Sequence, residues 1–304
     1  MRQGVLDKLV GRSDVSSETT ENSLMSEKNE NFPNGFQAFL LVVALFLAEG
    51  LVGAALHDMQ GLLSMKSRDM GGIVVLLANG CIFTFVMHFK ALTYRDLFHS
   101  SSSSAKATLL VLLPAILLTL PALVLTISSL VDALVQAVPL SAWEEAMFER
   151  MGSGSVSSIV VACILAPVLE EMLFRGVILR SFLRQYSKWS AIIGSAVLFG
   201  FAHLNLYQFA VGVVLGTFTG WLYERTRSLL PCIALHAAYN SALTFVLLSG
   251  ANDSVSNPGT TSATSWVAAL IFGATGVQML RRVLLRSSNR SRRENAPSQE
   301  TPSK

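Results

Sequence analysis

Residues 155–179 read SVSSIVVACILAPVLEEMLFRGVIL. The run is apolar without the in-out alternation of a barrel strand, and at 1.5 Å per residue it is long enough to cross a hydrocarbon layer once as a helix. In its second half stand two adjacent carboxylates, Glu170 and Glu171, just after Pro167 and four residues before Arg175. Ionisable groups within such a run are costly unless they are paired or face water, so the stretch is either a membrane helix that carries a site or a helix whose wet end begins near Arg175.

Seven more apolar runs surround it, at Phe36–Leu56, Gly71–Phe89, Ala107–Val131, Ser190–Leu206, Gln208–Tyr223, Leu229–Leu248 and Ser265–Leu280. Of 304 residues, 51% are hydrophobic and 14% charged, and the mean hydropathy is +0.50; too little polar material remains for a second, water-soluble domain. The reading is an all-α, polytopic transmembrane helical bundle of about eight spans. Residues 1–35 form a polar, disordered N-terminal tail, 36–280 the membrane domain with its motif-bearing core at 155–248, and 281–304 a basic, disordered C-terminal tail. The first apolar run comes too late for a secretory signal. Cys81, Cys163 and Cys232 lack disulfide or zinc spacing and read as small core residues.

Basic residues set the orientation, because Lys and Arg are retained on the cytoplasmic side of short loops. Twenty of the 23 fall in the N-terminal tail, the even-numbered connections and the C-terminal tail. Only Lys66, Arg68 and Arg150 fall on the other side, beside the acidic loop of Trp143, Glu144, Glu145 and Glu149. Both termini are therefore expected in the cytoplasm, and the compact loops point to a bacterial inner membrane. The basic stretch from Arg281 to Arg293 reads as a topology anchor that touches anionic lipid rather than nucleic acid.

Four polar places need an explanation. Glu171 and Arg175 have the spacing of a helical ion pair. Glu170 points about 100° away, so the two glutamates are not expected to share a partner, and Glu170 is left unpaired. A carboxylate withdrawn from water is a better proton acceptor than one on a surface. His203 ends the run Phe199-Gly200-Phe201-Ala202-His203 beside small residues that allow close helix approach; it is either a hydrogen-bonded core group or part of a site. His236 and Asn240 are four apart on one helix face, fit for a polar cavity or for interhelical hydrogen bonding. Glu49 is a lone carboxylate in the first run and reads as a cavity-lining group. Helical rise brings residues 170, 203, 236 and 240 to overlapping depths, with His203 the deepest.

The series Glu170-Glu171-x-x-x-Arg175, Phe199-x-x-x-His203 and His236-x-x-x-Asn240, on three separate helices, resembles the CPBP family of intramembrane peptidases. That family includes the type II CAAX prenyl endopeptidases and bacterial proteins linked to bacteriocin processing or self-immunity. The resemblance covers residues 155–248, with no departure at those positions; the first three runs carry no matching motif. It implies an endopeptidase that hydrolyses a membrane-associated protein or peptide, prenylated or not. Glu170 would be the general base, His203 would hold the attacking water, His236 and Asn240 would stabilise the oxyanion, and Glu171 and Arg175 would orient the helix. Zinc on Glu170, His203 and His236 is the alternative to a metal-free site; the metal-free reading is favoured because no His-Glu-x-x-His helix is present.

Other chemistries fit less well. No Gly-x-Ser-x-Gly elbow occurs, and Gly273-Ala274-Thr275-Gly276 lacks a serine nucleophile. Asp58, Asp69, Asp96, Asp132 and Asp253 fall in connections or at edges, which leaves no intramembrane aspartate pair. A proton- or solute-coupled transporter would need internal repeats with matching broken helices, and none is evident. A non-catalytic immunity or scaffold protein on the same fold stays open.

Overall fold

The computed structural model describes residues 31–59, 67–151, 155–249 and 262–294. Among these there is no strand, and the helices are α1 (Gly35–Asp58), α2 (Ser67–Lys90), α3 (Tyr94–Phe98), α4 (Ala105–Ala137), α5 (Ala142–Met151), α6 (Val156–Gln185), α7 (Lys188–Phe201), α8 (Leu206–Thr226), α9 (Leu230–Leu248) and α10 (Ala263–Glu294). Seven of them, α1, α2, α4, α6, α8, α9 and α10, are long and apolar enough to cross a membrane. The eighth expected crossing, Ser190–Leu206, is the shorter α7, which stops at Phe201. Two extramembrane-type helices, α3 and α5, occupy stretches expected to be loops.

Hydrogen bonds between connections show how the helices are oriented relative to one another. Ser100 N–H donates to Arg227 O at 3.0 Å and Leu229 N–H to Phe98 O at 2.9 Å, joining the α2–α4 and α8–α9 connections. Arg180 donates to Asp96 O, Lys188 pairs with Glu224 at 3.1 Å, and Gln185 donates to Asn31 O and Pro33 O. The connections rich in Lys and Arg therefore lie together at one end of the bundle, the alternation that the sequence predicts. At the opposite end Tyr207 Oη donates to Val138 O at 2.5 Å, and Asn205 Nδ2 donates to Glu144 at 3.0 Å. α7 thus leads from the basic end to the opposite end in 14 residues, about 21 Å of rise against roughly 30 Å of hydrocarbon.

Three expectations change. Phe32, in the expected N-terminal tail, packs edge-on against Phe89 at 4.9 Å, so the last residues of that segment dock on the bundle; residues 1–30 lie outside the described residues. The expected tail from Arg281 instead continues α10 to Glu294, because nothing in the basic stretch breaks a helix; residues 295–304, like Lys66 and Asp253, lie outside the described residues. Asp132 falls within α4, which runs on to Ala137 past Pro114 and Pro121. Cys163 and Cys232 are buried and unpaired as expected, whereas Cys81 is exposed.

α7 and α8 form a tight antiparallel hairpin, and small residues are the reason. A Cβ built on Gly212 would lie 2.8 Å from Gly200 Cα, one on Gly216 would lie 3.1 Å from Ala196 Cα, and one on Gly220 would lie 3.2 Å from Ile192 Cγ2. Without a hydrophobic driving force between helices in lipid, such close backbone approach supplies the packing that holds a pair together. Because the obstruction at Gly212 is backbone, Gly212→Ala is expected to cost about 1–3 kcal/mol through overpacking, and Gly212→Leu to abolish the folded state; thermal unfolding in detergent checks both.

Candidate functional site

α6 departs from regular helix at two π-helical stretches, Val161–Leu165 and Met172–Leu179, which flank the turn bearing the glutamates. Ala166 N–H bonds back five residues to Val161 O, so in that register Ala162 O would be served by residue 167. Pro167 has no N–H to give. Asn240 Nδ2 of α9 donates to Ala162 O instead, at 2.8 Å. In the second stretch Phe174 O accepts from the Ser195 hydroxyl of α7 at 2.9 Å. The wide turns thus open carbonyls to which α9 and α7 attach, a use of π-helix common at functional sites.

Glu170 lies fifteen residues before the end of α6, about 22 Å at helical rise, and nearly as far from its start. The wet-helix-end reading is thereby set aside: α6 continues to Gln185, and Arg175 is fully buried within it rather than in the following connection. Glu171 is equally buried, and its carboxylate meets Arg175 Nε at 3.2 Å and His236 Nδ1 at 3.0 Å. His236 Nε2 in turn stands 3.6 Å from Glu170, whose side chain keeps 31% of its surface exposed. This corrects the expectation that the two glutamates have no common partner and that Glu170 is unpaired. Adjacent carboxylates do diverge, but the two nitrogens of one imidazole diverge as well, so a ring between them reaches both.

Phe199 ties the remaining groups together. Arg175 lies over its ring at 4.6 Å, and the His203 and His236 rings meet it edge-on at 5.2 and 5.6 Å. Arg175, His203 and His236 thus share one phenyl group, Glu171 and Glu170 join them through Arg175 and His236, and Asn240 is one turn beyond His236 on α9. His203 is in the turn after α7 rather than inside a span, and its Nδ1 is 3.0 Å from Phe199 O. A carbonyl can only accept, so Nδ1 carries the hydrogen and Nε2 is left as an acceptor.

Among the described residues no three His, Cys, Asp or Glu side chains are grouped to hold a metal ion. With its Nδ1–H directed at Glu171, His236 keeps a lone pair on Nε2, which faces Glu170 at 3.6 Å.

Glu49, which the sequence marks as a cavity-lining carboxylate, is half-buried on α1 and lies towards Glu170. Other contributors were not singled out from sequence. Gly216 accommodates the Arg175 guanidinium, which a Cβ would meet at 2.9 Å; the four-residue spacing of Gly212, Gly216 and Gly220 is the signal that points to it. Outside the spans, the Ser141 backbone N–H and then its hydroxyl donate to Glu144, as does Asn205, and these bonds hold the Glu144 carboxyl below the usual carboxylate range. The Ser-x-x-Glu spacing of Ser141 and Glu144 is a readable capping signal.

Comparison with known proteins adds an independent observation. Residues 152–242 match the family model for the type II CAAX prenyl endopeptidase Rce1-like proteins. The chain is also 31% identical over 90 residues to the Putative membrane peptidase YdiL of Bacillus subtilis (strain 168), which covers 30% of this chain and 36% of that protein. The chain thus aligns with only about a third of that relative's length. No solved structure matches the chain significantly. The family-model match falls on the segment that carries the motifs.

Two outcomes follow for stability. Arg175→Met leaves the Glu171 carboxylate buried with one partner fewer and is expected to cost about 3–5 kcal/mol, while Gly216→Ala displaces the guanidinium at about 1–3 kcal/mol; denaturation in detergent reads both. Because folding lowers the Glu144 proton affinity, its contribution is complete above the unfolded carboxyl range near pH 4.3 and fades as pH falls below it. The stability difference between the parent and Glu144→Gln should therefore shrink on acidification below about pH 4.3, and a constant difference from pH 3 to 7 would contradict it.

Proposed function

On the premise of a CPBP family membrane protease, we propose that the chain is an intramembrane endopeptidase that hydrolyses a peptide bond of a membrane-associated protein or peptide with water activated by Glu170. The observation that carries this reading is the series Arg175, Glu171, His236 and Glu170, each in contact with the next, ending on the carboxylate that keeps contact with the surroundings.

The chemistry runs from that arrangement. Glu170 takes a proton from water as the water oxygen bonds to the scissile carbonyl carbon, and His203 Nε2 accepts the other water hydrogen and holds the nucleophile in line. The carbonyl oxygen becomes an oxyanion, and the Asn240 amide, anchored on Ala162 O, has a second N–H to give it. His236 has its Nδ1–H directed at Glu171 and its Nε2 at Glu170, which suits relaying the proton better than capping the oxyanion. That proton passes to the leaving nitrogen as the C–N bond breaks, which yields a carboxylic acid and an amine. The Glu171–Arg175 pair is neutral as a unit and fixes the tautomer and orientation of His236.

On this reading no metal takes part, the basic end of the bundle faces the cytoplasm, and the substrate enters from the membrane. A peptide or membrane-protein segment suits the compact loops better than a prenylated protein does. In liposomes that hold the purified chain and a single-span reporter, Glu170→Gln is expected to lower kcat by about 10²–10⁴-fold and Asn240→Ala by about 10²–10³-fold. Activity should survive a strong chelator. Parent-like cleavage by Glu170→Gln would remove the enzyme, and complete loss under chelator, restored by zinc, would replace this mechanism with a metal-dependent one.

A further inference from the structure

His203 sits in a turn whose backbone has unusual demands. Because α7 is only 14 residues long, residues 202–205 leave the helix at about 21 Å of rise from the basic end. Leu204, next to His203, has φ of 51°, a left-handed conformation that a leucine adopts only when its surroundings dictate it. The turn's own bonds, His203 N–H to Gly200 O and Leu204 N–H to Phe201 O, both at 3.1 Å, continue α7 but do not define where the chain goes next.

What defines it comes from the segment between α4 and α6, outside the residues that the family model matches. Asn205 is buried; its Oδ1 accepts from the N–H groups of Tyr207 and Gln208, both at 3.1 Å, and so starts α8. Its Nδ2 reaches across to Glu144 Oε1 at 3.0 Å. Two residues on, Tyr207 Oη donates to Val138 O at 2.5 Å and its ring meets Phe148 edge-on at 6.3 Å. Glu144 is itself held by Ser141. The start of α8 is therefore fastened at three points to the α4–α5 segment, with His203 just before the first of them.

We propose that Glu144 is a positioning residue: through Asn205 it holds the His203 turn against Phe199, so that the α4–α5 segment at the far end of the bundle governs whether the site is assembled. The idea rests on the peptidase reading for its consequence, but its geometry can be tested apart from cleavage.

The measurement is the rate at which diethyl pyrocarbonate modifies each histidine of the full chain in nanodiscs, resolved by mass spectrometry. Glu144→Ala and Asn205→Ala should each raise the His203 rate about tenfold, the change in open population expected for one hydrogen bond to a charged group. The His236 rate should stay unchanged. The double variant should be no faster than either single one, and Glu144→Gln, which keeps an oxygen for Asn205, should stay close to the parent. A parent-like His203 rate in both alanine variants, additive effects, or an equal rise at His236 that reports general loosening would each overturn the brace. In the reporter assay the alanine variants should lower kcat and leave KM unchanged. If the parent itself fails to cleave, the peptidase reading falls while the His203 rates still decide the brace.

Discussion

The structure is organised around one carboxylate that has no water to face. Glu171 is completely enclosed midway along α6, where an unpaired charge would cost more than the rest of the helix could offset. Arg175 neutralises it from the next turn and His236 meets it from α9. Each of those partners imposes a condition on a further helix: the guanidinium requires the gap at Gly216 on α8, and the guanidinium and the imidazole pack on Phe199 of α7. Four helices are thereby held in register by an ionic pair and the contacts of one phenyl ring, in a surrounding where apolar burial distinguishes poorly between one helix contact and another.

Much of this was legible in the sequence. The apolar runs located the helices because lipid admits only backbones that satisfy their own hydrogen bonds, and the Lys and Arg alternation anticipated which connections gather at one end. The i, i+4 spacing anticipated the Glu171–Arg175 pair. What stayed hidden was tertiary. Linear spacing treats Glu170 and Glu171 as divergent, and only the placement of α9 puts an imidazole with two outlets between them. Pro167 is visible as a helix irregularity, yet that the carbonyl it leaves open serves Asn240 depends on a residue 78 positions away. The true end of α7 was missed because Phe201, Ala202, Leu204 and Leu206 carry the apolar run past it, and the early stop is set by the Leu204 turn and the Asn205 cap.

The same short helix links architecture to chemistry. Ending α7 at Phe201 leaves His203 in the turn, against the Phe199 ring that also meets His236. Wide turns in α6 and an early stop in α7 are both departures from ideal membrane helix, and both fall where polar side chains are needed. Local irregularity of this kind is tolerated because neighbouring side chains, Asn240, Ser195 and Asn205, take up the freed backbone groups or cap the new helix start.

The most direct test is solid-state ¹⁵N and ¹³C NMR of the chain in lipid bilayers, with the histidine rings and glutamate carboxyls labelled. The account requires the His236 Nδ1 to carry a hydrogen and to show a dipolar coupling to the Glu171 carboxyl carbon corresponding to an N···O contact near 3.0 Å, with the coupling absent in Glu171→Gln. An unprotonated Nδ1, or no coupling to any glutamate, would mean that the carboxylate and imidazole do not meet in the membrane, and the proposed site would have no basis.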